Sequence, residues 1–314
     1  MILNQWFKNM ICFLIFFIFG TDSLAWASKC TLKDSLNIQD AHEGFCHFDV
    51  KNRKFKGTQS QQAACLTRKV KRMGFIGTET ITKYLKSLLA EPAPSVSKVQ
   101  ALLELQQIKT TDVGGDLNKA ILANYFIIHD TSTPNCSEYG NFTSCKVRGE
   151  LPKNRDDITW IYNKNFGGHP KTYPNRSAHV FTNRVGASIT EVNFADHIAT
   201  TKFESCYDSS AKKNLFIGIE NIQPRIGDPS IPRPGKKAND YDAPDPGFTS
   251  KQYARLALIY IVASARSGQW LIPAFHAVLD QYYKDGHDDP QNFDMEIFSD
   301  AVRNYNNELL SIGN

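Results

Sequence analysis

The chain has 314 residues, 41% hydrophobic and 22% charged, with 36 Lys and Arg against 32 Asp and Glu and a formal net charge of +4. It carries no low-complexity tract, no internal repeat and no dense basic run with interleaved aromatics, so a nucleic-acid partner is a poor fit. A charge this small gives at most a weak attraction to an anionic cell wall.

Residues 1–27 read as a signal peptide. Lys8 supplies the positive start and Met10 to Gly20 is an apolar run too short to span a bilayer. Ala25-Trp26-Ala27 is a small-x-small cleavage pattern, and Lys29 before Cys30 argues against a lipoprotein. No later segment is long and apolar enough to cross a membrane. The expectation is an exported protein, periplasmic or secreted and associated with the cell wall, with no integral span in the mature chain. Of the seven cysteines, Cys12 is lost with the signal, and an even number remains for disulfides. Cys136 and Cys145 bracket a small polar loop and are the favoured pair. The absence of any CxxC argues against a cysteine zinc cluster.

Residues 28–114 read as a small helical N-terminal domain, stapled by disulfide. From Gln59 to Ile108 the apolar residues follow a helical period. Leu66, Val70 and Met73 share one face, and Ile81, Tyr84, Leu85, Leu88 and Leu89 share another. Pro92 and Pro94 stop that helix, and Ser95 caps the next. Gly114-Gly115 marks the junction to a second domain, residues 115–314.

Beyond the junction the pattern mixes. Ile121 to Ile128 reads as a buried strand, Ala178 to Val192 as a hairpin and Asn214 to Ile222 as a strand. Gln223 to Thr249 is rich in Pro, Gly and Asp and reads as a long loop, of the kind that often rims a functional groove. A helix capped at Thr249 or Ser250 runs to about Ser267, with Tyr253, Leu256, Tyr260 and Ile261 as its apolar stripe. A last helix covers roughly Asp294 to Leu310. This order predicts an α/β (α+β) fold with a mixed central sheet flanked by helices.

Two strand-like runs end in histidine: Tyr125 to His129, and Leu271 to His276. Gly286-His287-Asp288-Asp289-Pro290 then offers a carboxylate. Two imidazoles and a carboxylate suit zinc and leave a fourth tetrahedral position for water, which is the arrangement of a hydrolytic site. Asp289 and Asp288 compete as the third ligand. Pro290 biases Asp289 toward an extended backbone.

The region from about 120 to 305 resembles the zinc-dependent N-acetylmuramoyl-L-alanine amidases, the superfamily shared with peptidoglycan recognition proteins. Four segments carry the resemblance in family order. They are Ile127-Ile128-His129; Ser177 to Phe181 with Asn183-Arg184-Val185-Gly186; Ile217-Gly218-Ile219-Glu220; and Phe248-Thr249 to His276, followed by Asp289-Pro290. The N-terminal segment lies outside it.

The resemblance implies zinc held by His129, His276 and Asp289. It implies Glu220 as the base that takes a proton from the attacking water, and His179 as a substrate contact on the cleft-lining strand. Many relatives carry a lysine two positions before the third ligand. This chain has His287 there, which when protonated donates to an oxyanion but loses its charge near neutral pH. The implied substrate is peptidoglycan or a muropeptide, cut between the lactyl group of N-acetylmuramic acid and L-alanine. The competing expectations are a recognition protein that binds the polymer without cutting it, and a zinc hydrolase of another wall amide.

Overall fold

The computed structural model describes residues 31–33, 46–71, 75–132, 178–207, 215–225, 243–284 and 286–312. Residues 1–27, expected to be a signal peptide, Cys136, Cys145 and most of the 223–249 segment lie outside the described residues.

The centre is a five-stranded mixed sheet. Its strands are β5 (Tyr125–Asp130), β6 (Val180–Thr182), β7 (Ser188–Thr190), β8 (Phe216–Asn221) and β9 (Ile272–Phe275), in the order β7-β6-β8-β5-β9. β5 runs parallel to both β8 and β9, and β6 runs parallel to β8. Only β7 is antiparallel, joined to β6 as the expected hairpin. β5 and β9 are buried along their whole length, as strands covered on both faces must be.

One face of the sheet is covered by α5 (Ser250–Ser267) and α7 (Met295–Ser311). Phe126 meets Tyr260, and Phe275 meets Phe293, through edge-on ring contacts. Thr249 closes a capping box with Gln252 at the start of α5, and Gly268 ends the helix with a φ of 73°. The expected stripe on α5 is too narrow. Leu256 to Ala265 is buried all round, because α3 (Val96–Leu105) and α7 pack on its outer side. Burying each of Leu256, Leu258, Ile259 and Ile261 stabilises the fold by about 1.5–3 kcal/mol before entropy is counted.

The N-terminal segment covers the other face. β1 (Phe48–Asp49) and β2 (Lys54–Phe55) form a short hairpin whose aromatics pack on Tyr125 and Phe203. α1 (Gln59–Leu66) lies against β9. The Tyr125 hydroxyl accepts from the Phe55 N–H and donates to Gln62, both at 2.9 Å. α3 starts at Ser95, as its spacing predicts, and α2 (Lys83–Leu88) starts at Thr82, so that Ile81 lies ahead of the helix. Val70, however, is in a strand. β3 (Arg68–Lys71) pairs with β4 (Phe75–Glu79), because α1 stops at Thr67, whose hydroxyl turns back to the Ala63 carbonyl at 2.7 Å. Met73 lies outside the described residues. One buried apolar cluster runs from Phe48 to Leu309 and joins the 46–114 segment to the sheet.

Near the site, residues 31–33 form a strap. Lys33 N–H donates to the Tyr282 carbonyl at 2.9 Å and Lys284 N–H to that of Thr31 at 2.8 Å. No helix among the described residues is long and apolar enough to cross a membrane. Cys46 is bonded to Cys65, and Cys206 is also disulfide-bonded, which is compatible with an exported protein.

The Cys46–Cys65 bridge closes a loop of 19 residues in sequence separation. Constraint of the unfolded chain by such a loop is worth about 3 kcal/mol, so the Cys46→Ser/Cys65→Ser variant is expected to unfold at a correspondingly lower urea midpoint. Equilibrium denaturation checks it.

Candidate metal centre

Parallel strands bring their carboxyl ends to one edge of a sheet, where α/β proteins bind ligands. Here that edge carries His129 from β5 and Glu220 from β8, which are register partners. Ile128 opposes Phe275, so His276 follows on the strand beside His129. The rings of His129 and His276 lie 4.4 Å apart between centroids, and their Nδ1 atoms are 2.9 Å apart. His276 opens the short helix α6 (His276–Leu279).

Asp289 returns to this edge along the loop after α6. Its carbonyl accepts from the Ala277 N–H at 2.8 Å, and its Oδ2 accepts from the Asp130 N–H at 3.2 Å. Asp289 Oδ1 is 3.0 Å from His276 Nδ1 but off the hydrogen-bonding direction, so it has no hydrogen-bond partner. Asp289 Oδ2 is 3.6 Å from His129 Nδ1. His129, His276 and Asp289 are all buried, with one ligand atom from each within 4.8 Å of the others. Asp288 is buried too, but it accepts from Gln291 at 2.9 Å and stands outside this group. Of the two candidate aspartates, Asp289 is the one that reaches the imidazoles.

Hydrogen bonding orients both rings. His276 Nε2 lies 2.8 Å from Asp280 Oδ2, and His129 Nε2 lies 3.2 Å from the Thr200 hydroxyl. Both Nδ1 atoms therefore face each other and Asp289. Without a metal, a proton on His276 Nδ1 links it to His129 Nδ1 at 2.9 Å and to Asp289 Oδ2 at 3.2 Å, and that proton holds the place a cation would take. Glu220 adds a further acceptor: Oε1 is 4.0 Å from His129 Nδ1, and Oε2 is buried with no partner.

The titration behaviour follows. Burial, then the charge on His276, pushes His129 down to about 3. Burial also works against a charged His276, but Asp289 and Asp280 outweigh it and hold that ring well above its usual value. Asp289 is held below the carboxylate range: burial opposes this, and the charge and hydrogen bond of His276 overcome it. Burial and the neighbouring Asp289 raise Glu220 well above the ordinary value. Converging imidazole nitrogens, an orphaned carboxylate oxygen and an excess of acceptors suit a metal ion. The residues present fit one, and the group can hold it.

His287 sits at the mouth. Its ring stacks on His276 at 5.1 Å between centroids, its Nδ1 is 3.8 Å from Asp289, and its side chain is 46% exposed where Asp289 is 1%. His179 is not brought to this cluster. It is fully buried, its Nδ1 accepts from the Gly218 N–H at 3.1 Å, and its Nε2 lies 3.3 Å from the Asp196 carbonyl.

Sequence reasoning missed the supports. Arg225 binds Asp130 at 2.6 Å and the Ser132 hydroxyl at 2.7 Å. Asp130 also accepts from the Gln291 N–H at 2.9 Å, which fixes the start of the turn after Asp289. An ionisable pair adjoining a candidate ligand was the available signal for Asp130. Nothing local pointed to Asp280 or Thr200. No match to this chain was found among protein families, curated proteins or solved structures. Fold and site together define an α/β protein with a buried His–His–Asp group able to hold a metal ion.

Removing one partner of a buried ion pair costs about 3–5 kcal/mol. Arg225→Met is therefore expected to lower stability by that amount in urea titrations, because it leaves the fully buried Asp130 carboxylate without its cation.

Proposed function

We propose that this protein is a zinc-dependent amidase of peptidoglycan, cutting between the lactyl group of N-acetylmuramic acid and L-alanine of the stem peptide. One observation carries the hydrolase reading. His129, His276 and Asp289 converge in a buried group, and the Glu220 carboxylate, whose Oε2 has no hydrogen-bond partner, reaches the same edge from the adjacent strand. Two imidazoles and one carboxylate are donors that zinc accepts with a position left for water. A bound zinc ion supplies Lewis acidity, lowering the pKa of water and polarising a carbonyl.

Glu220 takes the proton from the attacking water and passes it to the departing amine. That transfer suits a carboxylate held close to the reacting atoms and committed to no other hydrogen bond through Oε2. The water oxygen bonds to the lactyl carbonyl carbon, the C–N bond breaks, and alanine leaves as a free amine. His287, stacked on His276 at the open side, donates to the carbonyl oxygen as negative charge develops. Asp289 anchors the opposite side through the Asp130 N–H. The substrate assignment is supported by the four family-like segments and by the expected export of the chain.

The test is metal analysis with assay on purified sacculi. The wild type is expected to carry one zinc and to release free-amine stem peptides, leaving the lactyl group on the sugar by mass spectrometry. A chelator stops the release and added zinc restores it. Glu220→Gln should keep the metal while losing about 10²–10⁴-fold in kcat. Sacculi bound but never cut would make the protein a recognition module. Products split within the stem would make it a hydrolase of another amide.

A further inference from the structure

We infer that the N-terminal turn of α4 (Lys202–Tyr207) sets which nitrogen both imidazoles offer to the metal, with Thr200 and Glu204 positioning His129 and Asp280 positioning His276. The inference rests on the metal reading above. It assigns Thr200, Glu204 and Asp280 as positioning residues, and none of them is in the ligand group.

The argument begins with the cap of α4. Thr201 and Glu204 form a capping box: the Glu204 N–H donates to Thr201 Oγ1 at 3.0 Å, and the Thr201 N–H donates to Glu204 Oε2 at 3.0 Å. The same Oε2 accepts from the Thr200 N–H at 3.0 Å and the Thr200 hydroxyl at 2.9 Å. An oxygen facing two backbone N–H groups is an acceptor, and a proton taken up by this carboxyl goes to its other oxygen. The Thr200 proton is thus committed to Glu204, which leaves its oxygen to receive from His129 Nε2 at 3.2 Å. His129 is held with its proton on Nε2 and its lone pair on Nδ1.

The second imidazole is tied to the same turn. Asp280 accepts from the backbone N–H groups of Lys202 and Phe203 at 3.0 and 2.9 Å. Its Oδ2 also lies 2.8 Å from His276 Nε2, so that nitrogen is a donor and Nδ1 is the one turned to His129 and Asp289. One helix start therefore fixes both rings. Hydrogen bonds of this kind to the far nitrogen of a ligating histidine hold its tautomer and raise its basicity.

Gly218 makes room for the device. A Cβ there would lie 2.4 Å from Thr200 Oγ1 and 2.5 Å from its Cγ2. Glycine inside a strand weakens it and often marks a close approach by another segment. At this position it lets Thr200 press against β8 within reach of His129.

Three variants test the assignment: Thr200→Val, which removes the hydroxyl but keeps the Thr201–Glu204 box; Thr200→Ser, which keeps the hydroxyl; and Gly218→Ala, which displaces Thr200 without touching a ligand. The readouts are zinc Kd, by competition with a chromophoric chelator, and the ring ¹⁵N shifts of His129 in the zinc-loaded protein. Thermal unfolding in chelator compares the folds. Thr200→Val is expected to bind zinc about 10–100-fold more weakly and to shift the His129 signals, Thr200→Ser to match the wild type, and Gly218→Ala to follow Thr200→Val. Wild-type affinity in folded Thr200→Val, or equal weakening in Thr200→Ser, overturns the inference and leaves the metal reading intact. If Thr200→Val does not fold, wild-type affinity in Gly218→Ala overturns it in the same way. Wild-type protein that takes up no zinc overturns both.

Discussion

Everything at this site follows from the parallel alignment of β5 with β8 on one side and β9 on the other. Neighbouring strands lie about 4.8 Å apart, so residues at the ends of three parallel strands arrive as near neighbours without any special loop. His129, Glu220 and His276 are such residues. Shifting β5 by one position would turn His129 toward the α5 layer and bring Ile128 to the site. The register is pinned beside the histidine: Asn221 Nδ2 donates to the His129 carbonyl at 2.8 Å, and the Thr131 N–H donates to that of Asn221 at 2.9 Å. At the other end of β5, Tyr125 is anchored to the N-terminal segment through its hydroxyl. The N-terminal segment thus helps to hold the strand that carries the first imidazole.

Gathering so many ionisable groups in a buried place costs free energy, and the surroundings offset it unevenly. Asp130 has Arg225, and Asp280 has two backbone N–H groups. Asp289 has one backbone N–H and the His276 ring on Oδ2, and its Oδ1 has nothing to accept from. Glu220 has less, since one of its oxygens is buried and unpaired. The shortfall is concentrated on the groups that face the two Nδ1 atoms, while the groups behind them are well served. Such a gradient is what a cation site requires: acceptors left open in front, and their supports satisfied behind.

The legible part of the site was the part encoded by short runs. A buried strand ending in histidine can be read from a handful of residues, and so can a carboxylate before proline. The strands β5 to β9 and the helices capped at Thr82, Ser95, Thr249 and Asp294 were readable for the same reason. Val70 was misread because a helical period of two or three apolar residues also fits a twisted hairpin, and only the end of α1 at Thr67 separates them. The breadth of burial on α5 was hidden because it depends on α3 and α7, which are distant in sequence. Thr200 and Asp280 were invisible for that reason in stronger form. Each matters through the far nitrogen of a histidine on another strand, and no local pattern specifies that contact.

His179 and His129 show why burial alone is a poor guide to function. Both are completely buried, and burial drives both down to about 3. His179 is served on both nitrogens by ordinary backbone groups, a donor at Gly218 and an acceptor at Asp196. His129 has a hydroxyl on Nε2, but its Nδ1 meets another imidazole nitrogen at 2.9 Å with two carboxylates close by. Counting partners separates what desolvation treats alike. A histidine whose two nitrogens both find backbone partners holds a fold together, whereas one whose nitrogen converges with another imidazole and two carboxylates is placed to share a cation with them.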